Sequence, residues 1–181
     1  MSSRGTYLAT VRETLSSRAF AFFSASLNTF PHPHPPRTPV AFPCATHNEI
    51  DGAAAERLVA NGCTGVFEGA NMPSTRAAIA VFESNGVIFG PSKAANAGGV
   101  AVAGLEMAQN AAMTAYSRDD VDARLQAIMA HIHAEARAHA LQYGATYVRA
   151  ADGVTLANLK DGANIAAFLK VASAMQDQGA V

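Results

Sequence analysis

The feature that most constrains the fold is an alternation between residues 40 and 90. Short apolar runs at 40–42, 64–67 and 87–89 are separated by two stretches with helical spacing. The first, roughly 50–60, sets Ala54, Leu58 and Val59 on one side and closes at Asn61-Gly62. The second, 74–84, has Pro73 near its start and closes at Asn85-Gly86. Glycine is the usual residue just past a helix end, because it enters the left-handed region without steric cost. Strand, loop and helix, repeated twice with a third strand behind, predict an α/β fold with a parallel sheet and right-handed crossovers. Ligands of such sheets bind beyond the carboxyl ends of the strands. The loops 43–48, 68–73 and 90–99 are therefore expected to share one edge, and all three hold polar residues or glycines.

The remainder reads as long helices. Val100, Ala103, Met107, Ala108 and Ala111 recur at three- and four-residue steps. Ser117 and Asp120 form a capping box with Asp in place of the usual Glu, and Val121, Leu125, Ile128 and Ile132 make one stripe of a helix to about 141. A last helix over 163–177 is expected to bury Ile165, Phe168, Leu169 and Ala172, and 144–161 reads as a linker.

Half of the 181 residues are apolar and 15% are charged, which excludes a wholly disordered chain. A net charge of −1 gives no electrostatic footprint for nucleic acid. No stretch of 18 residues escapes charge, Pro or Gly, so no membrane span is expected. Cys44 and Cys63 lack metal or redox spacing and read as ordinary thiols of a reduced compartment. The first forty residues differ in character: Arg4, Arg12, Arg18 and Arg37 face one acid, Glu13, and the run 31–39 (PHPHPPRTP) prevents regular structure. Residues 1–39 are expected to be a disordered extension, with an organelle-targeting leader as the alternative. The expected location is cytoplasmic, or mitochondrial if that leader is real.

Candidate chemistry concentrates in the loops. Gly98-Gly99 lets backbone approach a ligand and opens a helix whose N–H groups favour an anion, although the same glycines suit tight helix packing. Asn96 in that loop, Asn71 in the second and Ala45-Thr46 in the first offer hydrogen bonds and a small surface for stacking. Lys93 reads as a surface lysine within reach of an anion. His131 and His133 stand about 200° apart on their helix and do not converge, and His139 faces Glu135; no metal site is expected. No acid–base pair, nucleophile triad, phosphate-binding Gly-Lys-Ser/Thr loop or Gly-x-Gly-x-x-Gly after a strand is visible.

The stretches 43–62 (PCATHNEIDGAAAERLVANG), 67–75 (FEGANMPST), 92–110 (SKAANAGGVAVAGLEMAQN), 121–136 (VDARLQAIMAHIHAEA) and 161–175 (DGANIAAFLKVASAM) resemble, in order, the C-terminal part of the glutamate dehydrogenases, of the short hexameric NADP-dependent type. The resemblance covers about three quarters of the chain, 40–181. It implies an incomplete Rossmann-like dinucleotide-binding domain followed by long C-terminal helices. It also implies reversible NADP-dependent oxidative deamination of L-glutamate to 2-oxoglutarate and ammonia, with NAD as the alternative cofactor, in a homo-hexamer. The family's catalytic lysine and aspartate belong to an N-terminal domain with no counterpart here, and neither does the glycine-rich loop. The isolated chain is accordingly expected to be inactive and its assembly doubtful. Two alternatives are a non-catalytic interaction protein docking on full-length subunits, and a weak nucleotide-binding module.

Carried over by that resemblance, Ala45 and Thr46 would lie beside the nicotinamide end of the cofactor. Asn71 would bond near the nicotinamide ribose, and Asn96 would border the meeting point of nicotinamide and substrate. Val100 would line the glutamate side-chain pocket. Ala103 stands where the family usually has a serine for the side-chain carboxylate. His47 and Ser92 also depart from the family pattern, which has Gln and Gly there.

Overall fold

The computed structural model describes residues 39–149 and 152–179. The extension expected at 1–39 lies, but for Pro39, outside the described residues. The chain runs β1 (Val40–Ala41), α1 (Gly52–Ala60), β2 (Gly65–Phe67), α2 (Arg76–Ser84), β3 (Ile88–Gly90), α3 (Ser92–Ala95), α4 (Ala97–Ala112), α5 (Arg118–Gln142), β4 (Thr146–Val148), β5 (Thr155–Ala157) and α6 (Leu159–Asp177). Strands β1, β2 and β3 form a parallel sheet in that order, with Val40 opposite Gly65 and Val66 opposite Phe89. This is the α/β arrangement expected from the sequence.

Local chemistry explains the helix boundaries. The Asp51 carboxylate accepts from the Ala54 N–H at 2.8 Å and starts α1; the Thr75 hydroxyl accepts from Ala78 at 3.2 Å and starts α2. Gly62 and Gly86, at φ +81° and +68°, turn the chain into the following strands. Strand alternation then divides the sheet's side chains. Val66 and Phe89 face the helices and join Ala54, Leu58 and Phe82 in the core, with the Phe82 and Phe89 rings stacked at 6.1 Å. Phe67 points the other way and stacks on Phe42 at 5.9 Å.

The expected loop 90–99 is instead mostly helical. One turn, α3, ends at Asn96, and α4 starts directly behind it. Pro91 at the first cap has the extended backbone that permits this break. The linker 144–161 contains a short antiparallel hairpin, β4–β5, pairing Tyr147 with Leu156. Three-residue strands flanked by polar residues give little periodic signal. The Tyr147 hydroxyl donates to the Val87 carbonyl at 2.8 Å, fixing the hairpin to the sheet.

Helix α5 begins at the expected cap, Ser117, whose hydroxyl accepts from the Asp120 N–H and bonds its carboxylate at 2.6 Å. That hydrogen bond holds the Asp120 pKa below the usual carboxylate value. Helix α6 crosses α5 at Gly162, where any Cβ would collide with the Ala136 carbonyl. The Lys160 ammonium meets Glu83 of α2 at 2.8 Å, and the Asn158 amide donates to the same carboxylate at 3.0 Å. The expected burial of Phe168 does not occur: it is 69% exposed. Periodicity identified it as apolar, but no described residue covers that side of α6. Among the described residues, no helix is long and apolar enough to cross a membrane.

Candidate functional site

The three post-strand segments do open on one edge. Their residues Cys44, Ala45, Thr46, His47, Gly69, Ala70, Asn71, Asn96, Gly99 and Val100 line a cleft of about 530 Å³. Five of the six candidate site residues, Ala45, Thr46, Asn71, Asn96 and Val100, thus come together. Ala103 does not line the cleft; it lies exposed one turn beyond Val100 on α4.

Backbone contacts bring the segments this close. The N–H groups of Gly69 and Ala70 both donate to the Pro43 carbonyl, at 2.9 and 3.0 Å. Gly69 is required for this approach, because a Cβ there would collide with the Cys44 sulfur. The Asn48 N–H donates to the Met72 carbonyl at 3.0 Å, with both residues in the left-handed region at φ +55° and +50°. On the other side, the Ser92 hydroxyl accepts from the Met72 N–H at 3.4 Å.

At the junction of the second and third segments, the Asn96 side-chain amide donates to the Asn71 oxygen at 2.7 Å. The pair keeps one NH₂ group and one carbonyl oxygen to present elsewhere. Turning both amides over leaves the same complement. Ala45, Gly69, Ala70, Gly99 and Val100 give the cleft a small or apolar lining, and Cys44, Thr46 and His47 complete it.

The two glycines of 98–99 have separate uses. A Cβ on Gly98 would come within 3.2 Å of Leu125, so Gly98 serves the packing of α4 on α5. Gly99 meets nothing within 4 Å and lines the cleft. Lys93 is engaged through its ammonium with the Asn164 side-chain oxygen of α6. His139 lies 3.9 Å from Glu135 as expected. Partial desolvation of its ring lowers the pKa of the otherwise exposed His133, and Arg137 lowers it further. Among the described residues, no three His, Cys, Asp or Glu side chains gather as a metal site.

Sequence reasoning missed the role of Glu68. Its carboxylate is buried, 3% exposed, and accepts from the Ser74 N–H at 3.2 Å and the Ser92 N–H at 2.8 Å. The available signal was an acid placed directly after an apolar strand, where burial demands hydrogen-bond partners.

The comparisons with known proteins agree with this geometry. The family model for glutamate/leucine/phenylalanine/valine dehydrogenase matches residues 8–179, so its match begins upstream of residue 40. The NADP-specific glutamate dehydrogenase of Escherichia coli is 50% identical over 142 residues, which are 78% of this chain and 29% of that protein. The glutamate dehydrogenase of Bacteroides thetaiotaomicron is 49% identical over 142 residues, 78% of this chain and 30% of that protein. The crystal structure of Plasmodium falciparum glutamate dehydrogenase superposes with a TM-score of 0.69 at 48% identity, covering 77% of this chain and 28% of that one. The chain thus spans about 30% of the length of these relatives. With a model match over nearly its whole length and a cleft on the strand edge where such folds bind ligands, the chain belongs to the glutamate/leucine/phenylalanine/valine dehydrogenase family.

Proposed function

We propose that residues 39–179 form the nicotinamide-side wall of an NADP-dependent glutamate dehydrogenase, acting between L-glutamate and 2-oxoglutarate with ammonia. The observation that carries this reading is the convergence of Ala45, Thr46, Asn71, Asn96 and Val100 on one cleft. The residues fit that end of the cofactor. The Asn71–Asn96 pair offers a donor and an acceptor to a carboxamide or ribose hydroxyl, and the small neighbours leave room for a flat ring. Bound there, the cofactor supplies the hydride acceptor. This chain's residues orient it, and Val100 keeps the adjoining surface apolar.

The family resemblance, and not the cleft lining, assigns Ala103 to the substrate side. An alanine in place of a hydroxyl to a charged carboxylate costs roughly 1.5–3 kcal/mol, about 10- to 150-fold in affinity. The test is a chimera: residues 40–179 replace the corresponding part of an NADP-specific glutamate dehydrogenase. It should aminate 2-oxoglutarate with NADPH, and Ala103→Ser should lower its KM for glutamate by at least about tenfold. A folded chimera without NADPH-dependent turnover would refute the assignment. The 181-residue chain assayed alone should give no turnover above blank, since the cleft lining holds no lysine or carboxylate to take the substrate's proton. The reading carries a family-like homo-hexamer and a cytoplasmic location, with mitochondrion as the alternative.

A second reading has its own support. Val100, Met107 and Met113 of the α4 region and Phe168, Val171 and Met175 of α6 are all largely exposed. Such side chains favour association with another apolar surface, as in docking on full-length subunits of the same family. Co-purification with a full-length glutamate dehydrogenase distinguishes this reading, and its absence counts against it.

A further inference from the structure

We propose that Glu68 is a positioning residue that sets the spacing of the Asn71–Asn96 pair. Four hydrogen bonds form a closed ring through the two segments. The Glu68 carboxylate accepts from the Ser92 N–H at 2.8 Å. The Ser92 carbonyl accepts from the Asn96 N–H at 3.0 Å, across the single turn of α3. The Asn96 amide donates to Asn71 at 2.7 Å. Asn71 sits in a loop whose two ends are joined by Glu68 itself, through its other oxygen and the Ser74 N–H at 3.2 Å. The Glu68 N–H adds a tie to the Gly90 carbonyl at 3.0 Å.

A carboxylate suits this position because it only accepts, on both oxygens. The two groups it faces are backbone N–H donors on separate segments. Glutamine keeps the shape but turns an NH₂ group toward one of those donors, so one tie is replaced by a donor facing a donor. The Asn71–Asn96 distance then loses its support, while the apolar side chains of the sheet core are left as they are. Glu68 touches neither cleft nor ligand and acts only through the two asparagines.

The proposal rests on the cofactor reading for its functional consequence, but its structural half is testable without any ligand. Side-chain amide signals of Asn71 and Asn96 are recorded by NMR in the free chain and in Glu68→Gln, with thermal unfolding alongside. The wild-type chain should show hydrogen-bonded amide signals. Glu68→Gln should melt cooperatively and show them at free-amide positions, with affinity for nicotinamide mononucleotide at least about tenfold weaker (about 1.4 kcal/mol). A folded Glu68→Gln chain with unchanged amide signals and affinity within about twofold (about 0.4 kcal/mol) would overturn the proposal. So would a wild-type chain without paired-amide signals.

If Glu68→Gln does not fold, Ser92 supplies the test. Ser92→Pro deletes only one N–H and the hydroxyl, at the first position of α3, where proline is tolerated. The ψ of 148° at Pro91 suits a following proline. Ser92→Ala removes the hydroxyl alone. Loss of the paired-amide signals in Ser92→Pro but not in Ser92→Ala supports the ring; equal behaviour of the two overturns it. A wild-type chain with paired amides that nicotinamide mononucleotide does not perturb refutes the cofactor reading and leaves the role of Glu68 standing.

Discussion

The sheet half and the helical half of this molecule are held together differently. From β1 to β3 the chain builds its own core: Val66, Ala78 and Phe82 are fully buried, with Val87 and Phe89 nearly so. From α3 onward the described residues bury little beyond Ala136, Ala140 and Gly162, and α4 buries none. The helices attach through a close crossing of small residues and through polar ties to α2, and the Tyr147 hydroxyl of the hairpin bonds the Val87 carbonyl just ahead of β3. The core fixes the sheet edge where the cleft opens, whereas the helices carry an apolar face outward from the same region.

Two phenylalanines, both on helices, put this contrast to its strongest test. Phe82→Ala empties a site in the sheet core and should destabilise the chain by about 3–5 kcal/mol. Phe168→Ala, on a side chain 69% exposed, should change stability by no more than about 0.5 kcal/mol. Urea unfolding of the two variants measures both, and equal losses would erase the distinction between the halves.

The same contrast explains what could be read in advance. In the sheet half, apolar runs and glycine stops located every element, because each short strand is bounded by turn residues such as Asn61-Gly62 and Asn85-Gly86. In the helical half, the α5 stripe at Val121, Leu125, Ile128 and Ile132 does turn inward. The stripe on α4 does not, with Val100 79% exposed and Met107 67% exposed. Hydrophobic spacing reports which face of a helix is apolar and is silent on what covers it. The hairpin β4–β5 escaped notice because its strands are too short to show alternation. At the site, the loop edge and five of its residues were legible from topology and resemblance. The Glu68 ring was not, since its partners are backbone N–H groups whose positions exist only in the fold.

A smaller effect is expected at the crossing of the two long helices. Gly162→Val forces a side chain against the Ala136 carbonyl and should cost roughly 1–3 kcal/mol. Hydrogen exchange should show α6 losing protection while β2 and β3 keep theirs. Loss of protection throughout would mean that the halves unfold as one unit.

The smallest expected effect lies in the polar tie to the sheet half. Burial lowers the Lys160 pKa, but the hydrogen bonds and charges of Glu83 and, to a lesser degree, Asp161 together outweigh it and leave the ammonium above the usual lysine value. The raised value means that this contribution is complete at neutral pH and is lost as pH climbs past the ordinary lysine range. Lys160→Met should therefore cost up to about 1 kcal/mol at neutral pH, and its difference from the wild-type chain should close in strong alkali. A difference that widens there would reverse the assigned sign.

The central claim is that three post-strand segments form one nicotinamide-facing wall. A chemical-shift map of the isotope-labelled chain, titrated with nicotinamide mononucleotide, tests it most directly. The account predicts perturbations gathered at Ala45, Thr46, Asn71, Asn96 and Val100. Perturbations confined to α5 and α6, or none at saturating nucleotide, would contradict it.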